Sequence, residues 1–174
     1  MPVGARMWHL LTKYFQRYPA QSRVAQMLLR HGLAVREDGV YCDNIAIPDT
    51  SIARAAQVDR RVISATIETI RREPELLKVF SRLMPTCLLR DAGPAMNWGV
   101  LEIIPSDPQA PGILAGVAEI IAKRNISIRQ AIVDDPELQE EPRLYIVTEG
   151  PLPIDVIPEI RSSLGVRSVI LHGP

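Results

Sequence analysis

The sequence predicts an α+β protein with a helical N-terminal domain, residues 1–92, and a C-terminal βαββαβ domain, residues 97–174. Apolar residues recur at the helical period through much of the first half of the chain. The second half holds a strand, a loop, a helix and a second strand in immediate succession from Gly99 to Val133. The breaker pair Gly93-Pro94 separates the two patterns, and 174 residues are enough for two small domains.

The charges also divide the chain in two. Residues 1–96 carry fourteen Lys/Arg and nine Asp/Glu, whereas residues 97–174 carry six and eleven. The basic half suits a polyanionic partner, and an ordinary solvated surface is the alternative. Two cysteines form no disulfide framework, and we find neither a secretory signal nor an apolar run of the ~20 residues that a membrane span needs. We therefore expect a soluble cytoplasmic protein.

Two amphipathic helices and a small hairpin are predicted first. The first helix shows four apolar or aromatic residues at helical spacing, which we expect to be core rather than a nucleic-acid surface: Trp8, Leu11, Phe15 and Tyr18. Pro19 can begin the second helix and Gly32 can end it. Asp38-Gly39 between two short apolar pairs predicts a β-hairpin over residues 34–41.

Residues 51–70 predict two further helices, with a turn at Gln57-Val58 and Asp59 capping the second helix. The inward positions of this pair are spaced as in a helix-turn-helix: Ile52, Ala53, Val58 and Ile63. The segment resembles that motif. It departs from it at Gln57, where many members carry glycine, so we expect a longer or differently shaped turn. The hairpin precedes the second helix, so it is not a wing of the winged-helix type.

The outward face of the second of these helices is the candidate DNA-binding surface. Its residues are Arg60, Arg61, Ser64, Ala65 and Glu68. Arginines in the first turn of such a helix can reach phosphates or guanine edges. The alternatives are that the motif is only an interaction module and that Arg71 and Arg72 serve the helix dipole. A further helix is predicted from Pro74 to before Pro85.

The C-terminal half predicts four strands and two helices. Val100–Ile104 is the first strand, and the helix from Ile113 to Asn125 has one apolar stripe, formed by Ile113, Leu114, Val117, Ile120 and Ile121. Strands are then predicted at residues 126–133, 144–148 and 166–171. Asp155 can cap a second helix, whose apolar side has Ile157, Ile160 and Leu164. The resulting βαββαβ order is ferredoxin-like.

Residues 107–114 (DPQAPGIL) and 125–130 (NISIRQ) resemble the opening half of an ACT domain, a small amino-acid-sensing module. With the helix-turn-helix segment before it, nearly the whole chain is similar to archaeal predicted regulators of amino-acid metabolism that carry an ACT domain. The resemblance implies an amino-acid-responsive regulator with the ferredoxin-like fold.

A ligand site is predicted where the loop at residues 107–112 meets the following helix, near a second subunit. The candidate residues are Asp107, Gln109, Pro111, Gly112, Ile113 and Ser127. Free N–H groups at a helix start favour a carboxylate, and Asp107 and Gln109 offer acceptors for an amino group. Ser127 stands where the resemblance often has asparagine. The alternative is a tight strand-to-helix turn without a ligand.

The sequence shows no catalytic pattern. His9, His31 and His172 are scattered without metal-ligand spacing, and we recognise no phosphate loop, nucleophile elbow or dinucleotide fingerprint. We expect no cofactor, no metal and no enzyme activity, and we expect Glu102, Glu119, Asp134 and Asp135 to be solvated charges.

The sequence therefore predicts a homodimeric transcriptional regulator that binds a small amino acid or related metabolite and DNA. We expect dimerisation through the ACT domain, because its strands are apolar on both faces and two helices cover only one. The alternatives are an ACT regulatory subunit that docks on a metabolic enzyme without binding DNA, and a metabolic enzyme of unrecognised type.

Overall fold

A computed structural model describes residues 5–172 of the protein, with side chains from residue 9 onward. The described chain is mixed α+β, with seven α-helices and two antiparallel sheets. It divides into two compact units between Cys87 and Leu88. This division precedes the breaker pair Gly93-Pro94, so that residues 88–96 belong with the second unit. None of the described helices is long and apolar enough to cross a lipid bilayer.

The first unit consists of five helices and one three-stranded sheet among the described residues. They are α1 (Ala5–Phe15), α2 (Pro19–Arg30), β1 (Ala34–Val35), β2 (Val40–Cys42), β3 (Ile45–Ile47), α3 (Asp49–Ala56), α4 (Arg60–Arg72) and α5 (Pro74–Phe80). The hairpin predicted at Asp38-Gly39 is present, because β1 pairs antiparallel with β2. β3, which pairs with β2, was not predicted from the sequence.

One apolar core holds the first unit together. Its largest fully buried side chains include Phe15, Leu28, Ile63, Ile70 and Phe80. Tyr18, predicted to be core, follows the end of α1 and is 56% exposed, so that part of the prediction is wrong. The side chain of Trp8 lies outside the described residues. Gly32 ends α2 with φ of 62°, and a Cβ there would lie 2.4 Å from the carbonyl oxygen of Met84, so glycine is required at this turn.

The second unit has the predicted order βαββαβ. Its elements are β4 (Val100–Pro105), α6 (Ile113–Lys123), β5 (Ile128–Val133), β6 (Leu144–Thr148), α7 (Val156–Arg161) and β7 (Val166–His172), preceded by a 3-10 turn at Pro94–Met96. The sheet order is β5-β6-β4-β7, and every neighbouring pair is antiparallel. Asn125 ends the α6 segment in the left-handed conformation that was expected.

The two helices of this unit pack on one face of its sheet. The buried side chains between them include Leu101, Ile103, Val117, Ile121, Ile146 and Ile160. Two predicted members of this core are exposed: Leu114 by 38% and Leu164 by 91%, the latter because α7 ends at Arg161. Asp155 does not cap α7 with its side chain. Its carboxylate instead accepts a hydrogen bond of 2.7 Å from Arg124.

The opposite face of this sheet is covered by the unit's own chain. Val100 and Val147 are fully buried there, and Tyr145 is 8% exposed. We call residues 88–96 the covering segment. Within it, the guanidinium of Arg90 lies 5.0 Å from the Tyr145 ring centroid, and a Cβ at Gly93 would lie 2.6 Å from Val100. The expectation that this face lacks a cover is therefore wrong for its central residues.

Glu102 is buried on this covered face, not solvated as expected. It lies in the central strand β4, paired with Tyr145 on one side and Ile170 on the other. Its side chain is only 6% exposed and accepts hydrogen bonds from Arg143 Nη1 and from the His172 ring, whose Nε2 lies 2.8 Å from Oε2. Arg143 and His172 are distant from Glu102 in the sequence, so a strand pattern does not reveal this burial.

Candidate functional site

The loop between β4 and α6 is built from turns that its own residues stabilise. Asp107 Oδ1 accepts a hydrogen bond of 2.9 Å from the Gln109 N–H, and the Asp107 carbonyl accepts one of 3.1 Å from the Ala110 N–H. Gly112 precedes α6 with φ of 93°, a conformation that glycine adopts at little cost. No described side chain caps α6, so the N–H groups of its first turn are available to a ligand.

This loop forms one wall of a pocket of about 190 Å³, which we call the loop pocket. The other walls are the start of α6 and the neighbouring ends of β5 and β6. The lining residues are Pro105, Pro108, Ala110, Gly112, Ile113, Leu114, Val133, Asp134, Pro142, Arg143 and Leu144. The pocket is therefore mostly apolar, with one acidic and one basic residue at its edge.

Asp134 and Arg143 close the connection between β5 and β6. The Asp134 N–H donates to the Arg143 carbonyl at 2.8 Å, and the Arg143 N–H donates to Asp134 Oδ2 at 3.1 Å. Burial raises the pKa of the Asp134 carboxyl, and the Arg143 N–H and the positive charge of Arg90 oppose this only in part. The guanidinium of Arg143 binds Glu102 and Glu141.

The structure brings only some of the predicted ligand residues together. Gly112 and Ile113 line the loop pocket, whereas Asp107, Gln109 and Pro111 are exposed and do not line it. Ser127 precedes β5, and the pocket lies at the other end of that strand, beside Val133. Six strand residues span about 20 Å, so Ser127 is far from the pocket of its own chain.

Asp134, Arg143 and Val133 are pocket residues that the sequence interpretation missed. The topology could have indicated them. The register pairs Leu144 with both Ile103 and Val133, so the end of β5 and the start of β6 lie at the same end of the sheet as the loop after β4. Asp134 was noticed in the sequence but was interpreted as a solvated charge.

In the first unit, α3 and α4 are joined by a short turn. Only Gln57, Val58 and Asp59 lie between them, and Gln57 itself adopts the left-handed conformation, with φ of 53° and ψ of 47°. The expectation of a longer turn is therefore wrong, because glutamine takes the backbone conformation that glycine usually provides. Asp59 caps α4 as expected, accepting the Arg61 N–H at 2.8 Å.

Four of the five predicted DNA-binding residues are exposed on α4: Arg60, Arg61, Ser64 and Glu68. Ala65 is half-buried. Among the described residues, no carboxylate forms an ion pair with Arg60 or Arg61. The first turn of α4 thus presents two unpaired guanidinium groups.

The later turns of α4 differ in charge and in role. Glu68 lines a surface groove with Asp38 and Asp49, and a hydrogen bond from Tyr41 lowers the pKa of the Asp38 carboxyl. Arg71 donates two hydrogen bonds, of 3.0 and 2.7 Å, to the Arg36 carbonyl. Arg71 therefore has a structural role. Arg72 is exposed and forms an ion pair with Glu73 at 3.3 Å, so the guanidinium groups of α4 without such partners lie in its first turn.

Across the described residues, no group of three or more His, Cys, Asp or Glu side chains is arranged to hold a metal ion. No protein-family model matches this chain, and no curated protein matches it significantly. Its function therefore has to be inferred from its own residues.

Proposed function

We propose that the protein is an amino-acid-responsive transcriptional regulator. In this proposal the second unit is an ACT domain that binds a small amino acid, and α3 and α4 form a helix-turn-helix that binds DNA. The observation that carries the proposal is the loop pocket, because it lies between the loop and the helix start that the resemblance to ACT domains implies as the ligand site.

Two further features support the ligand-binding half. The sheet order β5-β6-β4-β7 agrees with the ferredoxin-like arrangement that ACT domains share. The uncapped start of α6 also offers N–H groups and the positive end of a helix dipole to a carboxylate.

The DNA-binding half is supported by the first turn of α4. Asp59 fixes the start of the helix, and Arg60 and Arg61 are exposed there without an ion-pair partner among the described residues. An exposed guanidinium that has no carboxylate partner is free to displace counterions from a phosphate backbone.

Replacing both Arg60 and Arg61 with alanine should weaken binding to duplex DNA. The slope of log affinity against log salt should become shallower by about one for each phosphate that the variant no longer neutralises. Fluorescence anisotropy with a labelled duplex at several salt concentrations measures both quantities.

The matched control for that experiment is Lys78→Ala with Arg82→Ala. It removes the same charge from exposed residues outside α3 and α4, so the salt slope should stay that of the original protein. A double Arg60/Arg61 variant that retains the full slope would show that these arginines do not contact the duplex.

A homodimer is part of the proposal, but through the edge of the sheet, since the opposite face is largely covered. β5 is an edge strand, and Val133 at its end is 56% exposed beside the partly exposed Leu114. An edge strand with neighbouring apolar side chains favours pairing with a second copy.

We expect Val133→Lys to lower the dimer fraction in sedimentation velocity at micromolar concentration. An unchanged sedimentation distribution would exclude this edge as the interface.

The main alternative is a regulatory subunit that binds the same metabolite and docks its helical unit on an enzyme. The groove beside α4 is lined by three carboxylates, those of Asp38, Asp49 and Glu68, together with Arg71 and Arg72. The carboxylates favour this alternative, because they repel a phosphate backbone. For a DNA-binding regulator, an amino acid should change duplex affinity by about 5- to 150-fold, the usual range of allosteric coupling. An amino acid that raises the melting temperature but leaves the protein without duplex affinity would favour the subunit.

A further inference from the structure

The walls of the loop pocket combine three kinds of chemistry. Most of the lining residues are apolar, and besides three prolines they include Ala110, Ile113, Leu114, Val133 and Leu144. One edge is the uncapped start of α6, where backbone N–H groups favour a negative charge. Another edge is Asp134, the one acidic residue of the lining.

The size of the loop pocket restricts its ligand. Its volume of about 190 Å³ is below the roughly 300–1,000 Å³ of sites for drug-sized molecules. It corresponds to about six water molecules at ~30 Å³ each. A molecule of the size of a small amino acid suits this space.

The charges of the lining are complementary to a zwitterion. Among the described residues, no Lys or Arg side chain forms an ion pair with Asp134, and burial raises the pKa of its carboxyl. A partly desolvated carboxylate of this kind is stabilised by a bound cation. The guanidinium of Arg143 is engaged by Glu102 and Glu141. The positive charge of Arg90 also acts on Asp134 and lowers the pKa of its carboxyl in part, but Arg90 is paired with Asp91 and does not line the pocket. The start of α6 is therefore the positive edge of the lining itself.

We propose that the loop pocket binds an α-amino acid with a short aliphatic side chain, holding its ammonium group at Asp134 and its carboxylate at the first turn of α6. The inference rests on the proposed function and specifies its ligand. The aliphatic side chain lies against Ile113, Val133 and Leu144. An amino acid with a polar side chain would lose hydrogen bonds to water against these walls without regaining them, so it binds more weakly.

Calorimetric titration of the full chain tests the ligand class. The probes are valine and leucine, compared with serine, glutamate and phenylalanine. Two analogues separate the charged groups: 4-methylpentanoate lacks the amino group of leucine, and 3-methylbutylamine lacks its carboxylate. We expect valine or leucine to bind most tightly and each analogue to bind at least about tenfold more weakly, the effect of removing one charged hydrogen bond.

The variant Asp134→Asn tests the role of the carboxylate. It should reduce leucine affinity by about ten- to a hundredfold without weakening the binding of 4-methylpentanoate, because that anionic analogue has no ammonium group and is only repelled by a carboxylate. Asp135→Asn is the matched control, since it removes a neighbouring exposed carboxylate that does not line the pocket. The affinities of this control should equal those of the original protein. Thermal unfolding without ligand checks that both variants are folded.

The outcomes separate this inference from the proposed function. Tightest binding of a polar or aromatic amino acid would overturn the aliphatic class but leave an amino-acid sensor. If Asp134→Asn weakens the binding of leucine and of 4-methylpentanoate equally, Asp134 only shapes the pocket. That result would overturn its assigned role. If none of the amino acids binds, both this inference and the proposed sensing function are overturned.

Discussion

A fragment that begins at Asn97 should be less stable to unfolding than one that begins at Leu88, by about 3–6 kcal/mol. Burying one side chain such as valine contributes about 1.5–3 kcal/mol. The covering segment supplies part of the burial of three such side chains, Val100, Tyr145 and Val147. A small domain has about 5–15 kcal/mol of stability in total, so the shorter fragment should be marginal at room temperature.

Urea unfolding of the two fragments, followed by circular dichroism, measures this difference. The shorter fragment lacks two specific hydrogen bonds: the Leu89 N–H donates to Gln130 at 2.9 Å, and Arg90 donates to the Tyr145 hydroxyl at 3.3 Å. Leu88→Ala in the longer fragment is a suitable control, because Leu88 is 41% exposed and its truncation should change stability little. Midpoints that agree between the two fragments would show that the covering segment contributes no stability.

The same comparison decides which fragment reports on native association. A chain that starts at Asn97 exposes Val100 and Val147 artificially, and exposed apolar surface of this kind promotes self-association. A dimer formed by the shorter fragment alone would therefore arise from the sheet face that the covering segment normally buries. Only the full chain, or the fragment from Leu88, tests pairing through β5.

Local patterns in the sequence were sufficient for most of the fold. The change from period two to period 3.6 predicted β4 and α6, and the dipeptide Asp38-Gly39 predicted the first hairpin. Asp59 was recognised as a cap because capping is a contact between near neighbours. In each case the determining interactions lie within a few residues along the chain.

The missed features depend on contacts between distant residues. The covering segment has no period of two or 3.6, and its position is fixed by contacts such as that between Leu89 and Gln130. The sequence pattern of the strand around Glu102 is the same whether the second face of the sheet is open or covered. The neighbouring residues therefore could not predict that the Glu102 side chain is buried. The loop pocket likewise draws Asp134 from a segment more than twenty residues after Gly112. Only the strand register reveals such neighbours.

Replacing Arg143 with methionine should destabilise the protein by about 2–4 kcal/mol. The side chain of Glu102 is 6% exposed, and that of Arg143 is 29% exposed. Breaking a buried ion pair by removing one partner costs about 3–5 kcal/mol, because an uncompensated charge stays buried. The hydrogen bond between His172 and Glu102 remains and offsets part of this cost. Chemical denaturation of the full chain measures the change.

Two further variants show whether the buried charge is the cause. Lys123→Met breaks an exposed ion pair with Glu119, and such pairs contribute only about 0–1 kcal/mol, so stability should hardly change. Glu102→Gln combined with Arg143→Met removes both charges and should restore much of the missing stability, because no uncompensated charge is left under the covering segment. If the double variant is no more stable than Arg143→Met alone, the destabilisation comes from the packing of the Arg143 side chain and not from the charge of Glu102.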